Sequence, residues 1–309
     1  MPEIAEFPAE ALQAWACLGS RSAGGIEIIH KSDKTSVYRL FDASPGGRAI
    51  IAKRCEAEAA RVERILYENV LPELRLSSLE YHGFVDEGAC CWLFLEDSEG
   101  EEYAPDNRFH RETAARFLAR LHASAAREAG SFDLPDRGAN YYLGCLLSAR
   151  SNIFKELVNP AFSGEHLSVL ETVLHQLDAI ETRWEDLARV PTGSGVTLVH
   201  GDLQEKNVHL RGDRLLVLDW EHAGWGSPAP DIAFADEQAY FHAARELWPR
   251  LSLDSVRGLA AAGKAFRWVA AVLWTSMSIG CECPEFAMSD MRCYAAEMES
   301  LLPQLDGVR

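Results

Sequence analysis

The spacing of apolar residues changes period once along the chain, and that change limits the fold more than any other feature. Before residue 95 the apolar residues fall in short runs rich in β-branched and aromatic side chains. These are Gly25–His30 (GIEIIH), Ser36–Phe41 (SVYRLF), Arg48–Lys53 (RAIIAK), Leu79–Val85 and Cys91–Leu95. Asp, Pro and Gly separate them, which predicts strands joined by turns. One helix, Glu56–Asn69, interrupts the series. Beyond residue 100 the period becomes helical: Leu167, Val169, Leu170, Val173, Leu174, Leu177 and Ile180 repeat along one face. Phe109–Ala126, Ala229–Leu247, Asp254–Gly280 and Phe286–Leu302 share that character. The pattern predicts an α+β chain, with an antiparallel sheet carrying one inserted helix and a mainly helical remainder.

The polar run Glu96–Glu102 marks the change, so the expected division is 1–95, a connecting segment at 96–100, and 101–309. A cleft between two such lobes is the default ligand site. With 30 Lys+Arg against 47 Asp+Glu, the net charge is −17, which argues against a protein that grips nucleic acid or an anionic membrane. The acidic excess suits a cationic substrate and equally serves solubility. Trp268–Cys281 carries no charge but is too short to span a bilayer, and its Thr275, Ser276, Ser278 and Gly280 fit a buried helix. The opening MPEIAEFPAEAL shows no secretory pattern, and the eight cysteines show no disulfide framework. A reducing cytoplasm is the expectation. Cys281, Cys283 and Cys293 lack a fourth ligand at zinc spacing.

The chemistry concentrates in LVHGDLQEKNVHLRGDRLLVLDWEHAGWGSPAPDIA, from Leu198. Asn207 follows Asp202 by five residues and opens a strand, Val208–Leu210; the turn Arg211-Gly212-Asp213 returns the chain through Leu215–Leu218 to Asp219. A tight hairpin brings strand ends together, so Asp202, Asn207 and Asp219 can meet at one edge. Each alone would pass for a turn residue. Together they suit phosphoryl transfer, in which one carboxylate orients a hydroxyl while an amide oxygen and a second carboxylate hold Mg2+ on nucleotide phosphates.

HGDLQEKN followed by LDWEHAGWGSPAPDIA resembles the paired motifs of the aminoglycoside phosphotransferase and choline kinase-like family, small-molecule relatives of the protein kinases. The resemblance implies a protein-kinase-like bilobal fold, with an antiparallel-sheet N-lobe and a mainly helical C-lobe. It implies an enzyme that moves the γ-phosphoryl group of ATP or GTP to a hydroxyl of a small molecule. On that reading Asp202 is the catalytic base, and Asn207 and Asp219 are Mg2+ ligands. His200 and Asp231 brace the catalytic loop, and His122 is a packed structural residue. Lys53, at a strand end, contacts phosphates and pairs with Glu63, because Glu63–Pro72 (ERILYENVLP) is similar to the family's helix ending in a leucine-proline turn. The loop Lys31–Ser36 covers the phosphates through backbone N–H groups and the hydroxyls of Ser32, Thr35 and Ser36. Trp92–Asp97 is similar to the hinge, which places base contacts at the backbone of Glu96 and Ser98.

For the acceptor, Glu282, Glu285 and Asp290 cluster in sequence near Trp274 and Tyr294. Such carboxylates suit an aminoglycoside, an amino-sugar or an amino-alcohol, and equally suit a solvated surface. An antibiotic-resistance role would follow only from the first of these acceptors. The alternative is a catalytically silent nucleotide-binding protein of the same fold.

Overall fold

The computed structural model describes residues 9–19, 22–32, 34–192, 195–280 and 284–306. In chain order the elements begin with α1 (Ala9–Cys17), β1 (Gly25–Lys31), β2 (Ser36–Phe41), β3 (Ile50–Glu56) and α2 (Ala57–Ile65). Then come α3 (Leu71–Glu73), β4 (Tyr81–Asp86), β5 (Cys90–Glu96), β6 (Glu101–Glu102), α4 (Arg108–Ala125) and β7 (Asp136–Arg137). The helices α5 (Ala139–Glu156), α6 (Gly164–Glu181) and α7 (Trp184–Thr192) lead to β8 (Thr197–Val199), β9 (Val208–Arg211), β10 (Arg214–Val217) and β11 (Gly224–Gly226). The chain continues with α8 (Ala229–Ile232), α9 (Glu237–Ala244), α10 (Leu253–Ser276) and α11 (Glu285–Leu305).

These elements form two compact units. One comprises Met1–Thr113, Phe132–Leu134 and Gln204–His222; the other comprises Ala114–Ser131, Pro135–Leu203 and Ala223–Arg309. Neither unit is one contiguous stretch, and the β9–β10 hairpin groups with the N-terminal sheet although it comes late in the sequence.

In the sheet unit the five strands are antiparallel in the order β1-β2-β3-β5-β4. Strand alternation sends Tyr38, Leu40, Ile50, Ala52, Trp92 and Phe94 to one face, where α1 closes the core with Ala11, Ala14 and Trp15. Val37, Lys53 and Leu93, which stand opposite one another in the register, occupy the other face. Lys53 is therefore in the middle of β3 rather than at its end, because the strand begins at Ile50 and runs on to Glu56. The helix expected at Glu56–Asn69 begins as α2 and widens into a π turn at Leu66–Val70. A second sheet, β10-β9-β6, turns at Gly212, whose φ of +64° is a backbone region that disfavours side chains.

The helical unit holds a small sheet, β7-β11-β8. Its middle strand must be glycine at Gly224 and Gly226, where a Cβ would lie 2.2 Å from Pro135 O and 2.4 Å from Arg137 O. Ala229–Leu247 is two helices, not one. Asp236 takes an extended conformation and its carboxylate accepts from Ala239 N, so α9 starts afresh there. Helix α10 packs across the unit on small residues, and Tyr142 stacks on its Phe266 at 4.8 Å.

Gly263 and Gly258 both lie in α10 but face different surroundings. A Cβ on Gly263 would sit 1.9 Å from Ala229 O, whereas one on Gly258 would meet Val190 Cγ1 at 3.5 Å, an ordinary contact. Gly263→Ala should cost about 2–4 kcal/mol of unfolding free energy through overpacking. Gly258→Ala should be neutral or stabilising by up to about 1 kcal/mol. Denaturant unfolding of the two variants checks the contrast.

Candidate active site

The sheet unit assembles its polar centre around one lysine. The Lys53 ammonium donates to Glu63 Oε1 from α2 and, at 2.5 Å, to Asp219 Oδ1 beyond β10; Glu221 Oε2 lies 3.6 Å away. Burial alone would lower the Lys53 pKa, but the three carboxylates outweigh it and hold the group well above the usual lysine range. Glu63 is 1% exposed, and that burial raises its carboxyl above the ordinary range even though Lys53 opposes the shift. Asp219 sits at φ +62°, uncommon outside glycine and tolerated best by Asp and Asn. A bond from Leu218 N to Asn207 O, 2.9 Å, ties the two open ends of the β9–β10 hairpin together. Asn207, which is buried, and Asp219, which is partly exposed, are thereby neighbours in the fold, although eleven residues of chain separate them.

Glu63, Asp219 and Glu221 each present a carboxylate oxygen within 4.8 Å of the others. The single ammonium of Lys53 lies among these three carboxylates. All the cluster's donors are hard oxygens. That donor set fits a small hard dication such as Mg2+ and offers nothing to a thiophilic metal. Glu221 was visible in the sequence as the third residue of Asp-Trp-Glu, but nothing local marked it as a partner of Lys53.

The helical unit holds Asp202 on the loop after β8. Asp231, fully buried on α8, accepts from His200 N at 2.9 Å and from Gly201 N at 3.1 Å. His122 Nε2 lies 3.3 Å from the same carboxylate, and His122 Nδ1 shares a 2.9 Å hydrogen bond with the Tyr240 hydroxyl. Asp202 N in turn donates to His200 Nδ1 at 3.3 Å. Burial favours the neutral form of Asp231, but the hydrogen bond and charge of His122, with the His200 contacts, hold its carboxyl below the ordinary value. His122, His200 and Asp231 thus set the backbone course that leads into Asp202. Tyr141, pushed up to about 12 chiefly by burial, also feels the Asp202 charge, and its ring lies 4.3 Å beneath the Arg137 guanidinium. No sequence pattern had singled out Arg137 or Tyr141.

Other expected residues are placed differently. Ser32 N and Ser32 Oγ donate to Thr35 O at 2.8 and 3.0 Å, and Thr35 N donates back to Ser32 Oγ, so this turn closes on itself. Ser36 begins β2 on the Tyr38 side of the sheet, buried and opposite the Lys53 face. Its hydroxyl is not brought to Lys53, because alternation of side chains decides the face. The Glu96 carboxylate binds Arg48 at 2.8 Å and Arg211 at 2.7 Å, and Ser98 Oγ shares a 2.8 Å bond with His209 Nδ1. Glu285 lies 3.3 Å from His166 Nε2 at the start of α11. Asp290 is five residues further along the same helix, about 140° round its axis, so the two do not share one face. Glu282, Cys281 and Cys283 lie outside the described residues. Among the described residues no helix is long and apolar enough to cross a membrane.

Residues 40–269 match the model of the phosphotransferase enzyme family. The chain belongs to that family, whose members are phosphotransferases acting on hydroxyl groups of small molecules. No curated protein sequence matches it at a significant level. Among solved structures it is similar to spectinomycin phosphotransferase APH(9)-Ia in complex with ADP and spectinomycin, with 9% identity, 95% and 97% of the two chains covered and a TM-score of 0.65. It is also similar to macrolide 2'-phosphotransferase MphH from Brachybacterium faecium, at 17% identity, 91% and 97% coverage and a TM-score of 0.62. Choline kinase from Cryptosporidium parvum Iowa II gives 15%, 91% and 90%, and 0.61. The fold is that of the protein-kinase-like small-molecule kinases.

The Asp231 carboxyl has a depressed pKa in the folded chain, so its ionisation contributes stability above about pH 4, the unfolded value, and that contribution fades as pH falls further. Asp231→Asn should therefore be less stable than wild type by about 2–4 kcal/mol at pH 7. The gap should narrow below about pH 4. Urea unfolding of both proteins across that range reads the difference.

Proposed function

We propose that the chain transfers the γ-phosphoryl group of a purine nucleoside triphosphate to a hydroxyl of an amine-bearing small molecule. Aminoglycosides, amino-sugars and amino-alcohols are the acceptor class. The observation that carries the nucleotide half is Lys53, a buried ammonium held by Glu63 from one side and by Asp219 and Glu221 from the other. A lysine kept charged and oriented in this way can bind phosphate oxygens.

Asp202 orients the acceptor hydroxyl and accepts its proton, and its backbone is steadied by His200 and, through His200 and Gly201, by Asp231. Asn207 and Asp219 would hold Mg2+, which when bound neutralises phosphate charge. Lys53 then exchanges part of its carboxylate contact for phosphate oxygens, and Glu63 keeps the ammonium in place. The base would lie along the backbone of Glu96–Ser98. For the acceptor, support comes from the −17 net charge and from the likeness to spectinomycin phosphotransferase and choline kinase.

Asp202→Ala should lower turnover about a thousandfold, as expected for loss of a general base. The same variant should keep the Mg2+-dependent thermal stabilisation by ATP or GTP seen with wild type, about 2.7 kcal/mol at a hundred times the dissociation constant. Phosphate transfer to a panel of amino-sugars and amino-alcohols, with the paired thermal shift, is the assay. Turnover near a tenth of wild type would refute the role of Asp202. Absence of any nucleotide-dependent shift in wild type would refute the kinase reading.

A further inference from the structure

Arg211 closes β9 at the turn end of the hairpin whose open end holds Asn207 and Asp219. Its guanidinium reaches back to the segment after β5 and makes three bonds there. Nη1 donates to Glu96 Oε1 at 2.7 Å, Nη2 to Asp97 O at 3.1 Å, and Nε to Glu99 O at 3.1 Å. One planar fork therefore holds three of four consecutive residues, a geometry that a lysine cannot reproduce.

Other contacts join the same two pieces of chain. Ser98 Oγ bonds His209 Nδ1, and β6 pairs Glu101 with Leu210 and Glu102 with His209. Gly100 lies so close to β9 that a Cβ there would sit 2.6 Å from Leu210 O. On the far side, Arg39 Nε donates to the Asp97 carboxylate at 2.6 Å, and Arg48 binds Glu96. Asp97, Ser98, Gly100, His209 and Arg39 line a cavity of about 750 Å3, large enough for a nucleobase with its ribose.

We infer that Arg211 is a positioning residue for the nucleobase. It engages the carbonyls of Asp97 and Glu99, directs those two peptides toward β9, and presents the adjoining backbone of Glu96 and the intervening backbone of Ser98 to the base. The inference rests on the proposed nucleotide-kinase reading and adds to it a residue that touches neither base nor phosphate.

The test compares wild type, Arg211→Ala and Arg211→Lys in two titrations with Mg2+ present. One measures ATP by calorimetry, and the other measures tripolyphosphate, which has no base, as a competitor of ATP. Arg211→Ala should weaken ATP about tenfold or more, the scale of losing hydrogen bonds to a charged group. It should leave tripolyphosphate within about twofold, because Lys53 and Asp219 are untouched. Arg211→Lys, which keeps the ion pair with Glu96 but not the fork, should fall between. Unchanged ATP affinity in Arg211→Ala would overturn the inference, and so would equal weakening of both probes, which would mark Arg211 as a general structural residue. If wild type bound neither probe, the kinase reading itself would fail and take this one with it, a result distinct from the other two.

Discussion

A lysine ammonium cannot be buried without opposite charge close by, and the sheet unit is arranged around meeting that requirement for Lys53. Its three carboxylates come from distant parts of the sequence: Glu63 from α2, and Asp219 and Glu221 from the turn after β10. Helix α2 must turn an acidic residue inward, which an amphipathic helix does only against a cation. The hairpin must end with Asp219 at positive φ, a strained position of the kind found where function overrides local preference. Removing Lys53 would leave a group of like charges with nothing between them, so the lysine is as much the reason for the local structure as a consequence of it.

The helical unit solves a parallel problem with the opposite sign. Asp231 is a carboxylate with no exposure, and its counter-groups are His122 and two backbone N–H groups at His200 and Gly201. The arrangement fixes the chain two residues before Asp202 and engages the helix α8 that follows β11. In each unit, then, a buried ion organises the backbone next to a residue with a proposed chemical role. Both ions are costly if a partner is lost, which makes both sites sensitive to single substitutions.

Much of this was legible in the sequence where the information is local. Strand runs and helical periods located the sheet, its inserted helix and most of the later helices, because period 2 and period 3.6 are written in neighbouring residues. The segment from His200 to Asp231 carried its spacing openly. Longer-range features were not legible. Helix α1 is nine residues with four alanines among them, too short for a clear period, and it is recognisable only by what Trp15 packs against. The break at Asp236 inside Ala229–Leu247 depends on a cap that periodicity does not report. Ser36 looked like a phosphate-loop residue until the register of β2 with β3 assigned it to the far face. Glu221 and Arg211 act through ion pairs across more than a hundred residues, for which no spacing rule exists.

Phosphate binding by this chain requires that Lys53 exchange carboxylate for phosphate oxygens. Calorimetric titration of Mg·ATP into wild type and Lys53→Met addresses it most directly, with far-ultraviolet circular dichroism to confirm that both proteins are folded. Loss of affinity by about tenfold or more in a folded Lys53→Met is the result predicted here, since charge-assisted contacts to phosphate would be removed. Equal affinity in the two proteins would contradict it and would mean that the buried lysine serves only the fold.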